Sequence, residues 1–174
     1  VIAFCSSRKH TLRDQTIIHM SFLAGLRAME IAALTVGDVY DTTGAVRSQF
    51  NITGTQTKGG NTRAIHVSNK LKRVLTQYQE CVADRTAQAP LFLTQQGSRF
   101  SANTMCQLFL NIYSDFGFKG ASSHSGRRTF ITKLANTGIN VRLLAALAGH
   151  RHISTTQRYI DVNDAQLAQA VELL

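Results

Sequence analysis

Leu12, Thr16, Met20 and Leu23 recur at helical spacing, which predicts a helix from Thr11 to Ala24 that Gly25, free to take left-handed backbone, brings to a stop. A second short helix is expected from Ala28 to Leu34. The period then changes. "VGDVYD", "AVRSQFNITG" and "TRAIHV" are rich in β-branched residues and separated by the turn signals "TTG" and "KGGN", so a small antiparallel meander is predicted, with Lys58 at a hairpin tip. After Ser68, an expected N-cap, Leu71, Val74, Leu75, Tyr78 and Val82 form one stripe of a helix. Pro90 marks the loop beyond it.

Ser101 is expected to cap a further helix carrying Met105, Leu108, Phe109, Ile112 and Phe116. "GFKGASSH" reads as a loop that leads into a helix from Ser125 to about Thr137, ended by Gly138. Asn140 can cap a helix running through Leu147, Gly149 can end it, and Ser154 can open a last short turn holding Tyr159. The apolar spacing of Leu167, Ala170, Val171 and Leu174 predicts an amphipathic tail. The expected fold class is mostly α with a small antiparallel β-sheet, an α+β arrangement without repeats or flexible linkers.

A length of 174 residues suits one well-packed domain, taken here as spanning the whole chain. Hydrophobic residues at 44% and charged residues at 17% fit a globular protein, and the apolar run near Leu143 to Ala148 is too short to span a bilayer. No membrane partner is expected. Nineteen Lys and Arg against ten Asp and Glu give a net charge of +9, mostly from arginine, whose planar fork suits phosphate. A polyanion, and nucleic acid above all, is the partner this charge favours. Cys5, Cys81 and Cys106 are odd in number and widely spaced, so neither a disulfide framework nor a cysteine zinc site is indicated, and a cytoplasmic location fits.

Residues 147–162, "LAGHRHISTTQRYIDV", surround a single tyrosine with two histidines and two arginines. Such company matters chemically, because a phenol with a pKa of about 10 needs nearby cations or a base to attack well at neutral pH. His150 and His152 also raise the question of a metal. Two positions apart they do not share a helical face, and no H-E-x-x-H pattern or cysteine completes a zinc site, so no metal is expected.

Four motifs follow in order: "AGLRAMEIAALTVGDV", "TQTKGGNTRAIHV", "HSGRRTF" and "LAGHRHISTTQRYI". Together they resemble the catalytic domain of the tyrosine recombinases, also called the phage integrase family, from about Thr11 to the C-terminus. The resemblance implies a site-specific DNA recombinase or integrase that cleaves and rejoins strands through a covalent 3′-phosphotyrosine. Tyr159 matches the nucleophile. Arg27 and Arg127 match the two arginines that would clamp the non-bridging phosphate oxygens through charge-assisted bonds. His124 and His150 match the two histidine positions that donate to the phosphate and assist proton transfer, and Lys58 matches the lysine that protonates the departing 5′-oxygen. Glu30 matches the acidic position that orients the cationic groups by hydrogen bonding. The chemistry implies no cofactor, neither metal nor ATP, since the phosphotyrosine conserves the bond.

The resemblance further implies double-stranded DNA as partner, a homo-oligomer, specifically a tetramer, assembled on it with contacts from the C-terminal tail, and a cytoplasmic, nucleoid-associated location. The DNA-binding domain that precedes the catalytic one in the family has no counterpart before Thr11, so an isolated catalytic domain or fragment is expected. Two alternatives stay open: a type IB topoisomerase-like enzyme that relaxes DNA, and a non-catalytic DNA-binding module on the same fold. Where the third motif commonly reads His-x-Leu-Arg-His, this chain has His124-Ser125-Gly126-Arg127-Arg128. A mid-helix glycine costs about 1 kcal/mol against alanine, which predicts a looser helix around Arg127.

Overall fold

The structure is a computed structural model that describes residue 5, residues 8–54, residues 62–160 and residue 172. It is mostly helical, with a two-stranded antiparallel sheet. Helix α1 (Thr11–Ala24) ends at Gly25, whose φ of 62° is left-handed. Helix α2 (Ala28–Ala33) follows at once, then the single turn α3 (Val36–Val39).

That turn corrects the expectation of a strand at "VGDVYD". Thr35 and Asp38 form a capping box, with Thr35 Oγ1 accepting the N–H of Asp38 and the Asp38 carboxylate accepting the N–H of Thr35 at 2.8 Å. Reciprocal capping outweighs the β-propensity of two valines. What remains of the meander is β1 (Gln49–Ile52) paired with β2 (Arg63–His66), plus an isolated bridge between Tyr40 and Val46. The register sets buried Phe50 opposite buried Ile65, and buried Ile52 opposite Arg63. Lys58, placed by its sequence at the hairpin tip, lies outside the described residues.

Ser68 caps α4 (Asn69–Gln79) and Ser101 caps α5 (Ala102–Asp115), each hydroxyl accepting a first-turn N–H as expected. Helix α6 (Ser125–Ala135) stops two residues short of the predicted Thr137. Asn140 caps α7 (Val141–Ala148), Gly149 ends it at φ 62°, and α8 (Ile153–Gln157) opens at His152 rather than at Ser154. Tyr159 sits just beyond α8. The amphipathic tail expected from Asn163 onward falls, but for residue 172, outside the described residues.

Helix α1 packs on both α4 and α6, α2 packs on α5, and α7 touches α6, α8 and β2. The main apolar core runs through α1, α2, the sheet, α4 and α5, with Ile17, Leu26, Ile31, Leu75 and Phe109 fully enclosed. A smaller cluster of Ile131, Ala135, Leu144 and Ala148 joins α6 to α7, and Tyr159 leans on it. The site described next lies where the two meet. Among the described residues, no helix is long and apolar enough to cross a membrane.

Gly126 changes meaning in three dimensions. A Cβ there would come within 2.8 Å of both Ser21 Cβ and Phe22 Cδ2. The glycine is therefore what lets α6 close on α1, and the looser helix expected around Arg127 is instead a tightly seated one.

Candidate functional site

Three guanidiniums converge on this junction, two of them held by the ends of helices. The last carbonyls of an α-helix have no partner within it and carry partial negative charge. Arg127, 5% exposed on α6, donates from Nη1 to the Gly25 carbonyl at 2.6 Å, closing on the end of α1. Its Nη2 donates to the Ala148 carbonyl at the end of α7. Arg63 on β2 donates from Nη1 to the Leu147 carbonyl, one residue earlier, at 2.9 Å. Gly149 makes room for it, since a Cβ there would press on Arg63 Cδ and Nε.

Glu30 has no exposed surface and answers two of these cations. Its Oε1 accepts from Arg27 Nη1 at 2.7 Å, and its Oε2 accepts from both the Arg27 backbone N–H and Arg63 Nη2, each at 2.8 Å. Burial alone would raise the Glu30 pKa, yet Arg63 and Arg27 hold the carboxyl below its ordinary value. Three guanidiniums thus face one carboxylate. Burial, then repulsion from Arg27 and Arg63, pulls the Arg127 pKa down to about 9, which leaves it charged at neutral pH.

His150 follows the αL turn at Gly149 and lines a cavity of about 830 Å³ with Arg27, Glu30, Arg63, His66 and His152. Burial first, then Arg127, Arg27 and Arg63, pulls its pKa down to about 4, so its imidazole is neutral at pH 7. The Tyr159 ring stacks against it, with centroids 6.1 Å apart and planes inclined at 24°. Tyr159 is half-buried and is also among the groups acting electrostatically on Arg127. Among the described residues, no three His, Cys, Asp or Glu side chains are grouped to hold a metal ion.

Arg27, Glu30, Arg127, His150 and Tyr159, all singled out in the sequence, are therefore brought into one neighbourhood. His124, like Arg127 and Tyr159, is not part of the cavity lining, but unlike them it has no contact with the group: it is the exposed N-cap residue of α6, and its backbone N–H donates to Ser122 Oγ at 3.3 Å. Lys58 lies outside the described residues.

Two residues that the sequence reading passed over belong here. Arg63 is 9% exposed at the side chain and shares the inward face of β2 with Ile65, so period-2 alternation marks it as an inward-facing charge. Thr156, fully buried on α8, bonds through Oγ1 to His150 Nδ1 at 2.8 Å, and no sequence signal marks it out from Thr155.

Residues 1–166 match the phage integrase family profile. The tyrosine recombinase XerC of Pelobacter propionicus is 30% identical over 162 residues, which is 92% of this chain and 51% of that protein. The tyrosine recombinase XerA of Pyrococcus furiosus is 28% identical over 167 residues, covering 94% of this chain and 55% of that one. The chain thus spans about half the length of the curated relatives it matches.

Among solved structures, a XerA recombinase superposes with a TM-score of 0.75 at 24% identity, over 99% of this chain and 60% of that one. The Tn1549 transposon integrase in complex with a circular intermediate DNA gives 0.79 at 21% identity, over 99% of this chain and 62% of that one. These likenesses show the shared catalytic-domain fold. With a family profile that covers nearly all of its length, the chain belongs to the phage integrase family.

Proposed function

We propose that the chain is the catalytic domain of a tyrosine-type site-specific DNA recombinase that cuts and rejoins double-stranded DNA through a 3′-phosphotyrosine. One observation carries the reading: among the described residues, three guanidiniums, a neutral imidazole and the Tyr159 phenol gather around one centre with a single carboxylate among them. Splitting a phosphodiester without a metal needs this set, an in-line nucleophile with fixed positive charge at the non-bridging oxygens. The Tyr159 oxygen bonds to phosphorus as the bond to the 5′-oxygen breaks. The phenol gives its proton to solvent water and the departing oxygen gains one from Lys58, so the step is balanced and reversible.

In this reading Arg27 and Arg127 clamp the phosphate, and Glu30 holds Arg27 in place. His150 donates to the phosphate from inside the site, and His124 approaches it from the exposed start of α6. The net charge of +9 supplies sequence-independent DNA affinity. We further propose a tetramer on DNA linked through the tails beyond residue 162, in the cytoplasm near the nucleoid.

The test is incubation with a randomised library of nicked, end-labelled duplexes, followed by denaturing electrophoresis and mass-spectrometric mapping. The expected result is a protease-sensitive covalent adduct on Tyr159, absent from Tyr159→Phe. Salt-sensitive binding with no adduct would make the chain a non-catalytic module, and relaxation of supercoiled plasmid without joining of two duplexes would make it topoisomerase-like. Either outcome overturns the recombinase assignment.

A further inference from the structure

Thr156 uses its hydroxyl unlike three other helical threonines. Thr16, Thr76 and Thr129 each donate to the carbonyl four residues earlier, at 2.7, 2.9 and 2.9 Å. Thr156 Oγ1 instead meets His150 Nδ1 at 2.8 Å, with no solvent exposure. The carbonyl of the same residue accepts the Tyr159 N–H at 3.0 Å. One buried residue therefore holds the imidazole through its side chain and the phenol-bearing segment through its backbone.

A neutral imidazole carries one N–H and one lone pair, and a hydroxyl that donates to Nδ1 leaves the ring proton on Nε2. Thr156 Oγ1 has no acceptor other than Nδ1 among the described residues, so donation toward the ring is what satisfies its proton. Among the described residues, the charged groups acting on the ring are Arg127, Arg27 and Arg63, all cations, and Arg63 and Arg127 already occupy the Leu147 and Ala148 carbonyls. His150 Nε2 has no partner among the described residues, and the ring lines the open cavity. What that edge lacks is an acceptor, and an anion would supply one.

We propose that Thr156 is a positioning residue: its hydroxyl fixes His150 as the Nε2–H tautomer, so that the ring donates a hydrogen bond to a non-bridging oxygen of the scissile phosphate, while its carbonyl keeps Tyr159 in register with that ring. The proposal rests on the recombinase reading for the identity of the anion. It also gives a physical reason for keeping the ring uncharged. A neutral donor adds a hydrogen bond without a fourth positive charge beside three guanidiniums.

The experiment uses the full chain, Thr156→Val and Thr156→Ser. Long-range proton–nitrogen correlation spectra of ¹⁵N-histidine protein at pH 7 report the tautomer without any DNA. Expected are a predominant Nε2–H form in the parent and in Thr156→Ser, and a mixed population in Thr156→Val. With the nicked duplex library at saturating protein, Thr156→Val should form adduct roughly tenfold more slowly at unchanged half-saturating protein concentration, with Thr156→Ser close to the parent.

A parent ring protonated on Nδ1, or a Thr156→Val spectrum identical to the parent, overturns the proposal. So does a slow Thr156→Ser, which also covers the case in which the valine variant does not fold. If no version forms adduct, the recombinase reading falls, and the spectra still decide whether Thr156 sets the tautomer.

Discussion

Arg63 Nη2 and Glu30 Oε2 stand 2.8 Å apart, although 33 residues separate them and the Glu30 side chain has no solvent exposure. The pair ties β2 to α2, and the second guanidinium nitrogen of Arg63 ties both to the end of α7. A buried pair of this kind is costly to break by removing one partner, because the other charge stays behind. Glu30→Gln leaves Arg27 and Arg63 uncompensated beside Arg127. It should cost about 3–5 kcal/mol of folding stability, read as a lowered midpoint in urea unfolding. An unchanged midpoint would mean that the carboxylate does not hold these cations together.

Gly126 separates local propensity from packing. Alanine in a helix interior is favoured over glycine by about 1 kcal/mol, so helix propensity alone predicts that Gly126→Ala stabilises. The added methyl would lie 2.8 Å from Ser21 Cβ, an atom fixed to the backbone of α1. Destabilisation by about 1–3 kcal/mol is expected instead, seen as a drop in Tm. A rise in Tm would show that α6 does not seat on α1 as described.

His150 should titrate near pH 4 in the free protein, against an ordinary value of 6.5. Between those two values the unfolded chain holds more protons on this residue than the folded one. Folding stability therefore weakens as pH falls through that window and is insensitive to this group above it. Glu30, also lowered, acts in the same direction: its contribution is present above the ordinary carboxyl value and is lost as pH falls through the depressed one. An NMR titration of the imidazole checks the first part, and a midpoint near 6.5 would contradict it. Binding of a phosphate-bearing duplex should move the midpoint upward, since an anion offsets the three guanidiniums.

Arg127 is placed to interact electrostatically with Tyr159, and the proposed function gives it the role of stabilising charge that develops on the phosphate. Replacing it by alanine should slow covalent adduct formation by roughly a hundredfold or more, as loss of a preorganised electrostatic donor commonly does. The same change frees the Gly25 and Ala148 carbonyls, so its thermal stability must be measured beside the rate. Adduct formation at the parent rate would remove Arg127 from the mechanism.

Much of the helical layout could be read along the chain because its causes are short-range. Gly25 and Gly149 take the left-handed backbone that ends α1 and α7, and Ser68, Ser101 and Asn140 place oxygen acceptors at helix starts. The misreading of "VGDVYD" has a local cause too, since the Thr35 and Asp38 box competes with the valines beside it. It is also supported from afar: the Gly37 N–H donates to the Ala87 carbonyl at 2.8 Å, fifty residues on.

For the site, the resemblance of four strings to a known family nominated Arg27, Glu30, Lys58, His124, Arg127, His150 and Tyr159, and phosphoryl chemistry explains why such groups would be used. What no string could supply was which charge meets which. Arg63 finds Glu30 33 residues back and the Leu147 carbonyl 84 residues ahead. Arg127 reaches Gly25 102 residues away. Those pairings arise only when β2, α1 and α7 pack together and exclude water, and the same exclusion pulls the His150 pKa to about 4. Chain order thus named the chemical groups, while burial and the meeting of helix ends settled their charge states and partners.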